Sequence, residues 1–281
     1  MSSDLKFGAI AGFRLVTADL TRLAAFYRAI GFDIGDPMPI STAEMALLGI
    51  SGTGMRIEMS LGTSRVDLDC YALSGRPYPT ERSASDRIFQ HFALVTDDAH
   101  MAWNRARDAG ATPISRERPV TLPQSSGGVT AVKLRDPEGH PLEFTQFPRG
   151  ANPDWRGSGI LGIDHSAIAV RDLAASRRFY SHHGMVEGEP MLNQGPTQVV
   201  LDGIDGIVVD IVPMQPATAP PHIELLGYRD RVSDTGQLAV NDIAATRIVW
   251  RSAHDALMRD PDGHFHQFSR ADRLRTETLS R

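Results

Sequence analysis

The chain has 281 residues, a formal net charge of −5 and 41% hydrophobic residues, enough to bury a core in two domains of ordinary size. Its arginines are scattered among acids, so there is no basic stripe for nucleic acid, and no apolar run reaches the roughly 18 residues of a membrane span. The single cysteine, Cys70, excludes an intramolecular disulfide, and the start MSSDLKFGAI has no signal-peptide pattern, so a soluble cytoplasmic protein is expected.

A first unit begins near Gly12. Asp19 precedes LTRLAAFYRAIGF, whose apolar spacing is helical, and its carboxylate suits the N-cap. Gly31 stands where that helix should end. MRIEMSLG (55–62) and SRVDLDCY (64–71) then alternate as strands. A second unit opens with HFALV (91–95), in which His91, Ala93 and Val95 share one face. Asp98 caps the next helix, Gly110 closes it, and VTAVKL (129–134) meets HPLEFTQF (140–147) through an Asp-Pro-Glu-Gly turn. The run PRGANPDWRGSG (148–159) has turn residues and no periodicity, which places a boundary between domains 1–150 and 160–281. A third unit opens at His165, with Asp172 and Gly184 as its helix signals. In a fourth, ATRIVW (245–250) runs almost directly into the closing hairpin MRDPDGHFHQF (258–268).

These units repeat. Asp19, Phe26 and Tyr27 return as Asp172, Phe179 and Tyr180 at an offset of 153, and HFALVTDD (91–98) resembles HSAIAVRD (165–172). Each complete unit reads β-α-β-β-β. The interval from Asp86 to Asp136 is 50 residues and that from Asp242 to Asp260 is 18, so the fourth unit lacks a helix and a strand. The expectation is an α+β chain of four modules, the last truncated.

Four such modules, a His opening a first strand, Phe-Tyr in the following helix and the closing DPEGHPLE together resemble the vicinal oxygen chelate superfamily, which includes glyoxalase I, extradiol dioxygenases, methylmalonyl-CoA epimerase and the bleomycin and fosfomycin resistance proteins. GRPYP (75–79), SDRIFQHFALV (85–95) and LGIDHSAIAV (161–170) further resemble a four-module glyoxalase-like group. The resemblance implies that pairs of modules form cupped mixed sheets, giving two glyoxalase-like domains, with metal ligands on the first and last strands of each module. Carried onto this sequence, it offers Gly12, Asp67, His91 and Glu143 in the N-terminal half, and His165, Glu224, Arg247 and Gln267 in the C-terminal half. Asp67, His91 and Glu143 are the expected metal ligands, with His91 and Glu143 also catalytic; His165, Glu224 and Gln267 form the second-choice site. One His with two carboxylates suits Fe, Mn, Ni or Zn, whereas Arg247 would set a fixed positive charge beside a cation. On this reading His91→Ala abolishes metal binding and His165→Ala leaves most of it.

Structural roles compete with these. A lone strand His is more often a hydrogen-bonded structural residue than a ligand. His140 and His264 follow the glycine of equivalent turns, which points to turn structure; His222, His264 and His266 read as surface or turn residues. Tyr27 and Tyr180 read as helix packing, and Cys70, alternating opposite Asp67 and Asp69, as a buried inert thiol. No P-loop, dinucleotide-binding turn or nucleophile elbow is present, so nucleotide cofactors lack support. The expected function is metal-dependent lyase or isomerase chemistry on a small oxygen-rich molecule. The alternatives are extradiol ring cleavage and metal-free sequestration of a small molecule. A homodimer is expected, covering sheet edges exposed by the short module.

Overall fold

The computed structural model of the chain describes residues 5–230 and 236–270; the end of the expected second domain, 271–281, lies outside them. Module 1 comprises β1 (Ile10–Val16), α1 (Leu20–Ala29), the short β2 (Asp33–Ile34) and β3 (Met38–Pro39), α2 (Thr42–Leu48), β4 (Gly54–Leu61) and β5 (Ser64–Tyr71). Module 2 comprises β6 (Gln90–Thr96), α3 (Ala99–Asp108), β7 (Thr112–Pro113), β8 (Val120–Thr121), β9 (Thr130–Arg135) and β10 (Pro141–Gln146). Module 3 comprises β11 (Ile160–Ala169), α4 (Leu173–His182), β12 (Val186–Glu187), β13 (Met191–Gln194), α5 (Pro196–Asp202), β14 (Val208–Gln215) and β15 (His222–Tyr228). The short fourth module keeps β16 (Arg247–Ser252), β17 (Ala256–Arg259) and β18 (Phe265–Arg270).

The local signals operate as their chemistry requires. Asp19, Asp98 and Asp172 each accept a hydrogen bond from the backbone N–H three residues on, at 3.0, 2.9 and 2.9 Å, satisfying donors that the first helical turn leaves free. Gly31, Gly110 and Gly184 follow the three helices with φ of 112°, 103° and 96°, torsions that a side chain would oppose.

The sheets do not follow the two halves of the chain. An eight-stranded sheet runs β17-β18-β16-β1-β5-β4-β2, with β3 also on β4; it joins module 1 to module 4 through the antiparallel pair β1/β16. A ten-stranded sheet runs β12-β14-β15-β11-β6-β10-β9-β7, with β13 on β14 and β8 on β9; it joins module 2 to module 3 through β6/β11. The expected segments 1–150 and 160–281 thus contribute one module each to both sheets. The run at 148–159 is a connection inside the module 2/3 pair. Mixed strand directions arise because each module's first strand pairs parallel with its last and antiparallel with the first strand of its partner.

The helical faces of both sheets share one apolar core, in which Phe26, Phe92, Phe144, Ile168, Tyr180 and Trp250 are buried. The Asp-Pro-Glu-Gly turn locks modules 1 and 2 together. Asp136 Oδ1 accepts from the N–H groups of Glu138, Gly139 and His140. Its Oδ2 accepts from the Tyr27 hydroxyl at 3.2 Å and lies 2.7 Å from His140 Nδ1. His140 Nε2 reaches the Val16 carbonyl at 2.9 Å, so this ring donates on both sides, and Asp136 raises its pKa against the opposing effect of burial. Modules 3 and 4 repeat the arrangement with Tyr180, Asp260 and His264. The turn roles of His140 and His264 and the packing roles of Tyr27 and Tyr180 therefore stand, but His264 and His266 are buried rather than superficial. His266 Nδ1 accepts from Trp250 Nε1 at 3.0 Å, and its Nε2 contacts the Tyr180 hydroxyl at 3.0 Å. Cys70 faces away from the cup as its alternation requires, yet is half-buried rather than buried.

Candidate functional site

The ten-stranded sheet brings the two His-opening strands side by side. In the β6/β11 ladder His91 stands opposite Ala167, and His165 opposite Ala93. In the flanking parallel ladders Glu143 is opposite Ala93 and Glu224 opposite Ala167. Each module thus sets its Glu beside the residue two positions after its own His, and the antiparallel junction turns the two sets toward one another. Ligand atoms of His91, Glu143 and His165 lie within 4.8 Å of one another. His91 Nε2 is 3.2 Å from Glu143 Oε2, and His165 Nε2 is 3.6 Å from Glu224 Oε2.

Burial and neighbouring charges set the protonation of these groups. His91 is 2% exposed; its Nε2 contacts the Glu143 carboxylate at 3.2 Å, while Nδ1 has no hydrogen-bond partner. Burial lowers its pKa, leaving a neutral imidazole with a lone pair to give. Burial pushes Glu143 up, but neighbouring His91 and the Lys133 ammonium outweigh it and hold the carboxyl at about 2. Lys133 Nζ stands 3.9 Å from Glu143 and is fixed by Asp202 at 2.6 Å, which Gln198 Nε2 also contacts, at 2.7 Å. Thr145 donates to the other Glu143 oxygen at 2.9 Å. His165 differs: burial disfavours its charged form, yet Glu224 and Asp164 raise it to about 9. The two imidazoles and the Glu143 carboxylate, buried together with the half-buried Glu224 beside His165, are a donor set of the kind that borderline divalent ions accept.

Asp67 does not join this set. It lies in the eight-stranded sheet, where Arg14 Nε donates to Oδ2 at 3.2 Å and Arg65 Nε to Oδ1 at 2.8 Å. The strand positions equivalent to the four donors here carry Gly12, Asp67, Arg247 and Gln267. A Cβ at Gly12 would meet the Arg65 carbonyl oxygen at 2.7 Å, so a His cannot enter without moving β5. Arg247 is fully buried and donates to Asp69 at 2.5 Å and to Tyr71 at 2.9 Å. Arg56 donates to Asp69 at 2.6 and 2.8 Å and to Glu44 at 3.1 and 2.8 Å. Glu44, delivered by α2, also contacts Arg14 and accepts from Gln267 at 2.9 Å. This cup is closed by four arginines, Arg14, Arg56, Arg65 and Arg247, and three carboxylates, Glu44, Asp67 and Asp69, so Gln267 belongs with Arg247 and Asp67 rather than with His165 and Glu224.

Two residues of the metal-ligating types escaped sequence reasoning. His222, read as superficial, lies half-buried with Nε2 at 3.6 Å from Glu224 Oε1. Asp164 Oδ2 lies 3.0 Å from His165 Nδ1, and Asp164, His165 and His222 form a second cluster of closely spaced ligand atoms. Strict strand alternation places Asp164 on the face opposite His165, so nothing in the local pattern indicated it.

Among known structures the fold is that of two-cup glyoxalase-like proteins. Glyoxalase I from Zea mays superposes with a TM-score of 0.62 at 14% identity, covering 96% of both chains. A proposed dioxygenase from Bacillus subtilis gives 0.57 at 11% identity, covering 94% of this chain and 85% of its own. Comparison with curated protein sequences finds no significant match. Residues 9–144 match the Glyoxalase/Bleomycin resistance protein/Dioxygenase superfamily. The match covers modules 1 and 2, just under half of the chain; over the remainder the likeness to these proteins is one of fold. Among the described residues no helix is long and apolar enough to cross a membrane.

Proposed function

We propose that the protein is a metal-dependent enzyme with one working cup, between modules 2 and 3, acting on a small molecule that carries two adjacent oxygens, by lyase or isomerase chemistry. The observation that carries this reading is the convergence of His91, Glu143 and His165, with Glu224 beside His165, against a second cup closed by ion pairs. A divalent ion held by these side chains supplies Lewis-acid polarisation of the two oxygens and stabilisation of developing negative charge. His91, Glu143 and His165 would hold the ion, with Glu224 beside His165; two imidazoles and one carboxylate would also suit oxygen-dependent ring cleavage, which is the second reading. Glu143, held at about 2 by its neighbours, is a weak base and serves as a ligand. Glu224 lies half-buried between His165 and His222, which hold its carboxyl below the ordinary range against the effect of burial, and its position makes it the carboxylate to take a proton at Oε1 and return it. Lys133 keeps Glu143 ionised, and the apolar residues Phe89, Ala167, Leu226 and Tyr228 beside the cup exclude water from it.

The test is metal content by elemental mass spectrometry, followed by screening of vicinal-oxygen substrates. A single Zn, Ni, Mn or Fe ion per chain is expected. Both His91→Ala and His165→Ala should lose it, because both rings line one cup, while Asp67→Ala should retain it. A protein that carries no ion, and is not stabilised by any of the four when they are added, would overturn the enzyme reading in favour of small-molecule sequestration.

A further inference from the structure

The two imidazoles of the proposed metal cup are not equivalent, and the cause is a single inserted residue. In the β6/β11 ladder Ile163 pairs with Leu94 and His165 with Ala93, so two steps on β11 match one on β6. Asp164 is the extra residue of a β-bulge, a device that re-aims side chains by breaking the alternation. Burial follows the break: Ile163 and Ile168 pack in the helix-side core, while Ala167 and Ala169 lie in the cluster on the cup side. Asp164 and His165 consequently emerge on the same face, with Oδ2 and Nδ1 3.0 Å apart. No such insertion accompanies His91. Its preceding residue, Gln90, reaches Ser166 Oγ at 3.5 Å, and His91 Nδ1 has no hydrogen-bond partner.

The geometry points to Asp164 as the positioning residue of the metal cup: its carboxylate accepts the His165 Nδ1 proton, fixes the ring, and leaves Nε2 directed toward Glu224 and the ion. This rests on the functional reading above. A carboxylate behind a ligating imidazole sets the tautomer, limits ring rotation and makes the ring a stronger donor. The bulge thereby assigns unequal work to two histidines that the repeat makes equivalent. His165 has a carboxylate behind its ligating nitrogen, and His91 has none.

Two measurements on the full chain separate this inference from the metal reading. In metal-free protein, ¹⁵N-edited NMR should show a hydrogen-bonded His165 Nδ1 proton, identified by its loss in His165→Ala. Asp164→Ala should lose the signal and Asp164→Asn, whose amide oxygen still accepts, should keep it. Zn²⁺ titration against a competing chelator should then give affinity weakened by about 10- to 100-fold in Asp164→Ala and by less in Asp164→Asn, with unchanged thermal melts. Persistence of the proton signal in Asp164→Ala, or Zn²⁺ affinity within about twofold of wild type, would overturn the assignment. So would a wild type binding two ions of which Asp164→Ala loses one and holds the other unchanged, since Asp164 would then be ligating with His222. If the wild type binds no Zn²⁺ at all, the metal reading fails, while the NMR comparison still decides whether Asp164 orients His165.

Discussion

Phe7 offers a direct test of how the truncated fourth module is tolerated. Modules 1 to 3 each contribute a long helix to the shared core, and module 4 has none among the described residues. In the space this leaves, Phe7 is 2% exposed. Its ring centroid lies 4.5 Å from Trp250 on β16, 5.0 Å from His266 and 5.6 Å from Phe268 on β18, and 5.4 Å from Tyr180 on α4. A hydrogen bond from the Phe7 N–H to the His183 carbonyl, 2.9 Å, holds the segment in place. One aromatic side chain thus seals a gap between α4 and the fourth module. A ring of this kind buries roughly 150 Å², which at about 25 cal/mol per Å² is on the order of 4 kcal/mol; allowing for the methyl that remains, Phe7→Ala should cost about 3–4 kcal/mol. For a chain of this size that corresponds to a fall in Tm of roughly 6–16 °C. Phe7→Leu should cost about 1–1.5 kcal/mol, since most of the volume is kept. Urea and thermal unfolding of the three proteins measure this directly. A Phe7→Ala protein within about 0.5 kcal/mol of wild type, the range of an ordinary surface substitution, would refute the argument that this ring replaces a missing helix.

Other consequences concern charge. Arg247→Met leaves Asp69 and Tyr71 short of a fully buried partner, so unfolding by urea should show a loss of about 3–5 kcal/mol with metal content unchanged. Lys133→Met should instead affect the working cup, raising the Glu143 pKa and leaving Asp202 buried without its counter-ion; weaker Zn²⁺ binding and lower stability are both expected. Metal binding at the proposed cup should strengthen with pH. His165 at about 9 must lose a proton to ligate, so affinity should rise about tenfold per pH unit between pH 6 and 8, measured by chelator competition; a flat profile would exclude His165 as a ligand. His266 gives a stability effect of its own. Burial, with His264 and His183 beside it, drives its pKa well below 6.5, so the unfolded chain binds a proton that the folded chain refuses. Its contribution is complete above about pH 6.5 and declines as pH falls below that. Thermal melts of wild type and His266→Gln between pH 7.5 and 5 should converge at the acid end.

The sequence by itself determined the modules. Helix caps at Asp19, Asp98 and Asp172, glycines at helix ends, and alternating strands are local signals, and local signals repeat when a unit is duplicated. It also determined that His91 corresponds to His165 and Glu143 to Glu224, because those correspondences depend only on position within a module. Tertiary structure alone decided which modules share a sheet. Every first strand presents a similar edge, so the one-dimensional pattern is equally compatible with pairing 1 with 2 or 1 with 4, and Asp67 was placed beside His91 when its partners are Arg14 and Arg65 across the molecule. The pairing is decided by long-range fit: β6 against β11 and β1 against β16, with Tyr27 reaching Asp136 and Tyr180 reaching Asp260 between modules. Asp164 was hidden for a different reason. A bulge changes the face of a side chain without changing the sequence around it, and only the ladder between β6 and β11 shows that Asp164 and His165 point the same way.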